Sequence, residues 1–104
     1  MARENIRLLK RTVLAGRQPG AAPEDRTLSG DAALALLERS IKFGHGRLAV
    51  LRLSIAVDSD ARIPPDYWRY CSRAAELSGD ASLKALYLQA ARRNMAIPEA
   101  RELQ

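Results

Sequence analysis

Between residues 34 and 57 the apolar side chains fall into two columns, and this pattern constrains the fold more than any other feature of the chain. Leu34, Leu37, Ile41, Leu48, Leu51 and Ile55 follow steps of three and four, with Gly44 filling the one gap, which is the spacing of a heptad seam. A second column, Leu36, Phe43, Val50 and Val57, recurs every seven residues on roughly the opposite side. Asp31, Glu38, His45 and Arg52 form a polar strip between the two. A helix that is apolar on two sides has to be sandwiched, either centrally in its own fold or between its fold and a second chain. The pattern therefore predicts a long central helix. It would begin near Ser29, a good N-cap, with Asp31 in the first turn where a carboxylate suits the helix dipole.

Two features compete with that reading. Gly44-His45-Gly46 costs a continuous helix about 1 kcal/mol per glycine, so a kink or break there stands as an alternative to one uninterrupted helix. Beyond it, Leu51, Leu53, Ile55 and Val57 alternate with Arg52, Ser54 and Ala56, which is also strand spacing. A strand needs partners, however, and the sequence offers no second strand-like run, so a helix is the expectation.

The flanking segments read more simply. Over residues 3–15, Ile6, Leu9 and Val13 share one helical face, widened by Leu8 and Leu14, while Arg3, Arg7, Lys10 and Arg11 lie mostly off it. A helix this short is marginal unless it docks on something. Residues 16–23, rich in glycine and proline, break the pattern, so residues 1–28 read as a basic arm and linker ahead of a helical core over 29–104. After Asp58-Ser59-Asp60 and Ile63-Pro64-Pro65, Pro65 suits the first turn of a helix over 65–77 that carries Tyr67, Tyr70, Cys71, Ala74 and Leu77 at helical spacing. Ser78-Gly79-Asp80 supplies a C-terminal glycine and a fresh N-cap. The next helix, over about 81–96, would turn Leu83, Leu86, Tyr87, Ala90 and Ala91 inward and Lys84, Arg92 and Arg93 outward, and Pro98 would stop it. The expected fold is a single all-α domain: a long central helix, an antiparallel helical hairpin and an N-terminal basic helical arm.

With 104 residues the chain is one domain in size. Cys71 is its only cysteine, so no intramolecular disulfide forms and a reducing, cytoplasmic setting is expected. The arginines and lysine near the N-terminus interrupt any signal-peptide core, and no apolar run approaches the roughly 18 residues of a membrane span. The arm's apolar face is too short for strong membrane attachment, so no membrane partner is expected. His45, the only histidine, has no neighbouring ligand set or nucleophile, and Gly44 and Gly46 lack the flanking residues of a phosphate loop. Cys71, beside Tyr67 and Tyr70, reads as a buried structural thiol. No catalytic residue, metal or cofactor is expected, and the chain is read as non-enzymatic.

A net charge of +5 invites a nucleic-acid reading. Ala75 and Gly79 have the Ala-x-x-x-Gly spacing of the turn in DNA-binding helix-turn-helix units. Ser78 and Asp80 fall where that motif takes apolar residues, and Asp80, Ala81, Ser82 and Lys84 make a poor base-reading set. Lys84, Arg92 and Arg93 are the residues that would serve this alternative.

A protein partner is the favoured expectation. The two-sided central helix implies more apolar surface than a small chain covers alone, so a homodimer or a partner contact through one of its columns is expected. Trp68 lies off the Tyr67–Tyr70 stripe with Arg69 and Arg73 nearby, and interfaces enrich tryptophan and arginine. In size, helical make-up and expected dimerisation the chain resembles the small antiactivators of bacterial quorum sensing (the TraM and QslA type). That resemblance implies binding to a LuxR-type transcription factor that is thereby kept from acting on DNA. It is a resemblance of class over most of the chain, without a shared motif, so it carries over no functional residue.

Overall fold

The computed structural model describes the backbone of residues 2–102 and the side chains of residues 6–94. Five helices follow one another: α1 (Ala2–Arg17), α2 (Pro23–Lys42), α3 (Gly46–Asp58), α4 (Pro65–Ser78) and α5 (Ala81–Glu102), with no strand among the described residues. The all-α class holds, and residues 47–57 are helical. The arrangement differs from the expected one at the centre.

The long central helix is two helices folded back on each other. Gly44 sits at φ +71°, the left-handed region open to glycine. The N–H of His45 donates to the Ser40 carbonyl at 2.9 Å and that of Gly44 to the Ile41 carbonyl at 3.0 Å. These are the two bonds of a Schellman motif, which satisfies the last carbonyls of α2 and turns the chain. The glycine that filled a gap in the seam is thus the residue that ends it. Each column is split between α2 and α3, and Leu36, Leu37, Val50 and Val57 meet in one buried core with Leu53 and Ala56.

The prediction of a sandwiched helix holds for α3 alone. Ala49, Val50, Leu53, Ala56 and Val57 are all buried. They face α2 on one side and the α4–α5 hairpin on the other. The alanines at 49 and 56 let neighbouring backbones approach closely.

The N-terminal segment is docked, not an arm. It packs along α2, and Val13 is buried against the core. Gly16, read from the sequence as the start of a linker, lies inside α1 at the crossing with α2. A Cβ there would stand 2.1 Å from the Ser29 Cβ and 2.5 Å from the Asp25 carbonyl, so only glycine fits. Ser29 is not an N-cap. It is buried within α2, and its hydroxyl donates to the Val13 carbonyl at 2.9 Å, a bond between helices. The cap lies earlier, with Pro23 in the first turn beside Glu24 and Asp25, both favourable to the helix dipole.

The α4–α5 hairpin follows local chemistry closely. Pro65 opens α4 and Gly79, at φ +68°, closes it. The Asp80 carboxylate then accepts the N–H of Ser82 at 2.9 Å and of Leu83 at 3.4 Å, capping α5. Cys71, Ala75, Leu83 and Ala90 are buried, but Leu77, expected on the inner stripe, is 79% exposed. Pro98 does not stop the last helix, because α5 continues to Glu102. A proline removes one backbone bond and strains the preceding turn without forbidding helix beyond it. The Arg3 side chain and Leu103 lie outside the described residues.

Candidate functional site

Because α1 and α3 both run antiparallel to α2, they lie side by side upon it without packing on each other among the described residues. At one end Arg17 and Asp58 approach to 3.9 Å, beside a polar hollow of about 490 Å³ lined also by Ser29, Ser59 and Asp60. At the other end a groove of about 420 Å³ opens between the two helices. Its floor is α2, through the edge of Leu36, Ser40 and Phe43; its walls are Ile6 and Lys10 on one side and Leu48 and Arg52 on the other.

The groove is apolar inside and basic at its rim. Phe43 is 56% exposed although it is a large aromatic residue, and the Arg39 guanidinium lies 5.0 Å from its ring centroid, a cation–π contact. Arg52 is half-buried, and its shielded Nε has no acceptor among the described residues. Among the described residues no carboxylate lines the groove. From Leu48 at its wall, the outer face of α3 continues outside the groove to exposed Leu51, with Ile55 half-buried next to it.

The residues singled out from the sequence divide accordingly. Leu37, Val50 and Val57 are buried inside the chain and do not reach a partner resting on its surface, and Leu36 shows only an edge. Leu34, Ile41 and Ile55 are half-buried against the core. Phe43, Leu48 and Leu51 are exposed, so the surface part of the two columns collapses to one patch around the α2–α3 turn. Trp68 is half-buried. Its ring stands edge-on to Tyr87 of α5, with centroids 6.0 Å apart and planes at 74°, so it joins the two helices of the hairpin. Arg69 is paired with Asp66 on its own helix. Arg73 is exposed beside Tyr70 and Leu77 in a second, more open hollow of about 390 Å³.

The nucleic-acid set is partly engaged elsewhere. Arg93 does not point outward alone: it pairs with Asp58, and its Nη2 donates to the Ser54 hydroxyl at 2.9 Å. Lys84 and Arg92 are exposed. Arg47 donates to the Asp80 carboxylate at 2.8 Å. That bond, with the backbone N–H groups of Leu83 and Ser82, holds the carboxyl below the usual carboxylate range. A carboxylate therefore stands where a reading helix would meet phosphate.

Cys71 is fully buried, and burial pushes its thiol up to about 12, which keeps it protonated and unreactive at neutral pH. His45 is exposed at the N-cap of α3 and makes no side-chain cap bond. Among the described residues no group of three or more histidine, cysteine or acidic side chains could hold a metal ion, and no helix is long and apolar enough to cross a membrane.

Sequence reasoning did not find Lys10 or Arg39 as site residues. The local signal for Arg39 was its spacing of four from Phe43, which places cation and ring on one helical face. Lys10 had no local signal, because only the docking of α1 brings it to the groove. The chain matches no family model, no curated protein and no solved structure.

Proposed function

We propose that the chain is a non-enzymatic regulatory protein of the cytoplasm that works by binding another protein. The observation that carries this reading is the exposure of Phe43, Leu48 and Leu51 together around one turn, at the edge of a basic-rimmed groove. An apolar patch with a polar rim is the usual anatomy of a protein contact surface. Covering each large apolar side chain is worth about 1.5–3 kcal/mol, so three in one place supply a useful share of a micromolar affinity. The resemblance to quorum-sensing antiactivators makes a LuxR-type transcription factor the first partner to test. The outer strip of α3, Leu48, Leu51 and Ile55, also suits a second copy, and a homodimer through α3 is part of the proposal.

A nucleic-acid reading draws support from Ala75, buried, and Gly79, left-handed, which fit a helix-turn-helix corner. It is the weaker reading, because Arg47 and Arg93 are committed to ion pairs and Asp80 heads the helix that would read bases.

The test is light scattering after size exclusion, with the chain alone and with a purified LuxR-type regulator. A dimer alone and a mixed complex with the regulator are expected. Leu48→Asp together with Leu51→Asp should abolish both while leaving the helical melt unchanged. A monomer at tens of micromolar rejects the dimer, and a complex that survives the double substitution removes this surface from the function. A gel shift of generic duplex by the chain alone, weakening steeply with salt, would favour the nucleic-acid reading instead.

A further inference from the structure

We infer that the groove between α1 and α3 receives an acidic amphipathic helix of the partner, an inference that rests on the protein-binding reading and specifies what binds. The shape comes first. Two roughly parallel helices standing on a third leave the slot that a fourth helix fills in a bundle, and helix-in-groove docking uses this geometry. Ile6, Phe43 and Leu48 supply apolar surface from all three helices, which matches a stripe of apolar residues at steps of three and four.

Charge decides the chemistry of the flanks. Lys10, Arg39 and Arg52 put one cation on the rim from each of α1, α2 and α3, and none of them forms an ion pair among the described residues. Arg47, Arg69 and Arg93, by contrast, each lie against a carboxylate. The Arg52 Nε is shielded and has no acceptor among the described residues, so this guanidinium is not satisfied within the chain. Glutamates flanking the apolar stripe of an incoming helix meet all three cations. A membrane surface is too flat to reach the floor between two helices, and a nucleic-acid backbone offers charge without aliphatic side chains to cover Phe43 and Leu48.

The experiment uses the full chain and a fluorescein-labelled helical peptide of about 15 residues, some four turns. Its leucines stand at steps of three and four, flanked by glutamates. A second peptide keeps the leucines and replaces every glutamate by lysine. Anisotropy titration should show the acidic peptide binding at least tenfold more tightly than the basic one. Lys10→Glu, at an exposed position, and Arg52→Gln should each weaken the acidic peptide about tenfold, with helical melts that establish folding. The variant combining K10E, R39E and R52E should reverse the preference between peptides. Equal binding of the two peptides, or acidic binding unaffected by Lys10→Glu in a folded protein, overturns the inference. Duplex DNA or anionic vesicles outcompeting the acidic peptide overturns it as well. Failure here with a regulator complex that is still lost on Leu51→Asp, outside the groove, sinks this inference and leaves protein binding standing. Loss of both readouts sinks both.

Discussion

The α4–α5 hairpin and the α1–α3 layer are built from similar residues and treat their charges and apolar side chains differently. In and around the hairpin three arginines meet carboxylates, Arg69 with Asp66, Arg47 with Asp80 and Arg93 with Asp58, while Arg73, Lys84 and Arg92 stand exposed. Its tryptophan is packed on a tyrosine of the neighbouring helix. In the α1–α3 layer, Lys10, Arg39 and Arg52 surround a groove with no carboxylate among the described residues, and Phe43, Leu48 and Leu51 remain exposed. The hairpin engages its tryptophan within the chain while leaving Leu77 and Arg73 exposed one by one, whereas the groove gathers its cations and apolar side chains in one place where a second molecule could satisfy them together. The difference separates what maintains the fold from what is available for binding.

The sharpest way to break that division is within the original heptad column, where Leu37 and Leu51 looked equivalent. Leu37 is fully buried and Leu51 is 47% exposed. Leu37→Ala removes packed methyls and leaves a cavity, so a loss of about 2–5 kcal/mol is expected in a urea melt. Leu51→Ala should stay within about 0.5 kcal/mol. Similar losses at both positions would mean that the exposed strip belongs to the core of a dimer, which the concentration dependence of the melt would reveal.

The next effect tests whether α1 is part of the fold or an arm. Gly16→Val places a branched side chain where even a Cβ overlaps Ser29 and the Asp25 carbonyl. Separating α1 from α2 to relieve that overlap should cost about 1–3 kcal/mol. A detached arm would instead tolerate the change or gain helix propensity from it. Ser29→Ala should cost about 1 kcal/mol by orphaning part of the Val13 contact.

These two positions show what the sequence could and could not convey. The hairpin was legible because its signals are local: Pro65, Gly79 and Asp80 do in the structure what their chemistry prescribes within a few residues. Gly16 and Ser29 carry local signals too, a breaker and a cap, but their roles are set by a neighbouring helix. The hydroxyl that resembles a cap reaches another helix, and the missing side chain that suggests a loop makes room for a crossing. The seam over residues 34–55 failed differently. Its periodicity is consistent with one helix, and a turn motif of two backbone hydrogen bonds at Gly44 is enough to fold it in half. Of the candidate site, Phe43, Leu48 and Leu51 were visible as members of columns and Arg52 as part of the polar strip between them, whereas the grouping of Lys10 with Arg39 depends on how α1 docks. Trp68 and Arg69 stood out by type, yet their neighbours Tyr87 and Asp66 engage them within the chain.

That turn motif recurs at the end of α3, which gives a smaller test. At the end of α3 the N–H of Ala61 donates to the Ala56 carbonyl at 3.0 Å and that of Asp60 to the Val57 carbonyl at 3.1 Å. The left-handed position is taken by Asp60 at φ +58°, where Gly44 serves at the end of α2. Gly44→Ala should cost about 1 kcal/mol, since alanine resists that conformation. Asp60→Gly should gain about 0.5 kcal/mol by relieving it. A loss on Asp60→Gly would show that the carboxylate contributes more than its backbone strain costs.

The smallest expected effect concerns acid and tests whether the hairpin's charges are satisfied in solution. Asp80 accepts a hydrogen bond from Arg47 and caps α5 through the N–H groups of Ser82 and Leu83, and these lower its folded-state pKa. In the unfolded chain the carboxyl returns to its ordinary value, so between the two values the unfolded state binds more protons than the folded one. Stability from this group is therefore fully present above the unfolded value and is lost as pH falls through the folded one. Asp80→Asn retains an oxygen for the cap but removes the charge facing Arg47, so its stability should change less with pH across that acidic window than the parent's. The pair is solvent-exposed, and added salt should shrink the difference between the two proteins. Parallel urea melts at neutral pH and below the usual carboxylate range read the effect directly. Identical pH profiles for the parent and Asp80→Asn would mean that the Arg47 contact does not persist in water. Arg47 would then join Lys10, Arg39 and Arg52 as a cation available to a partner.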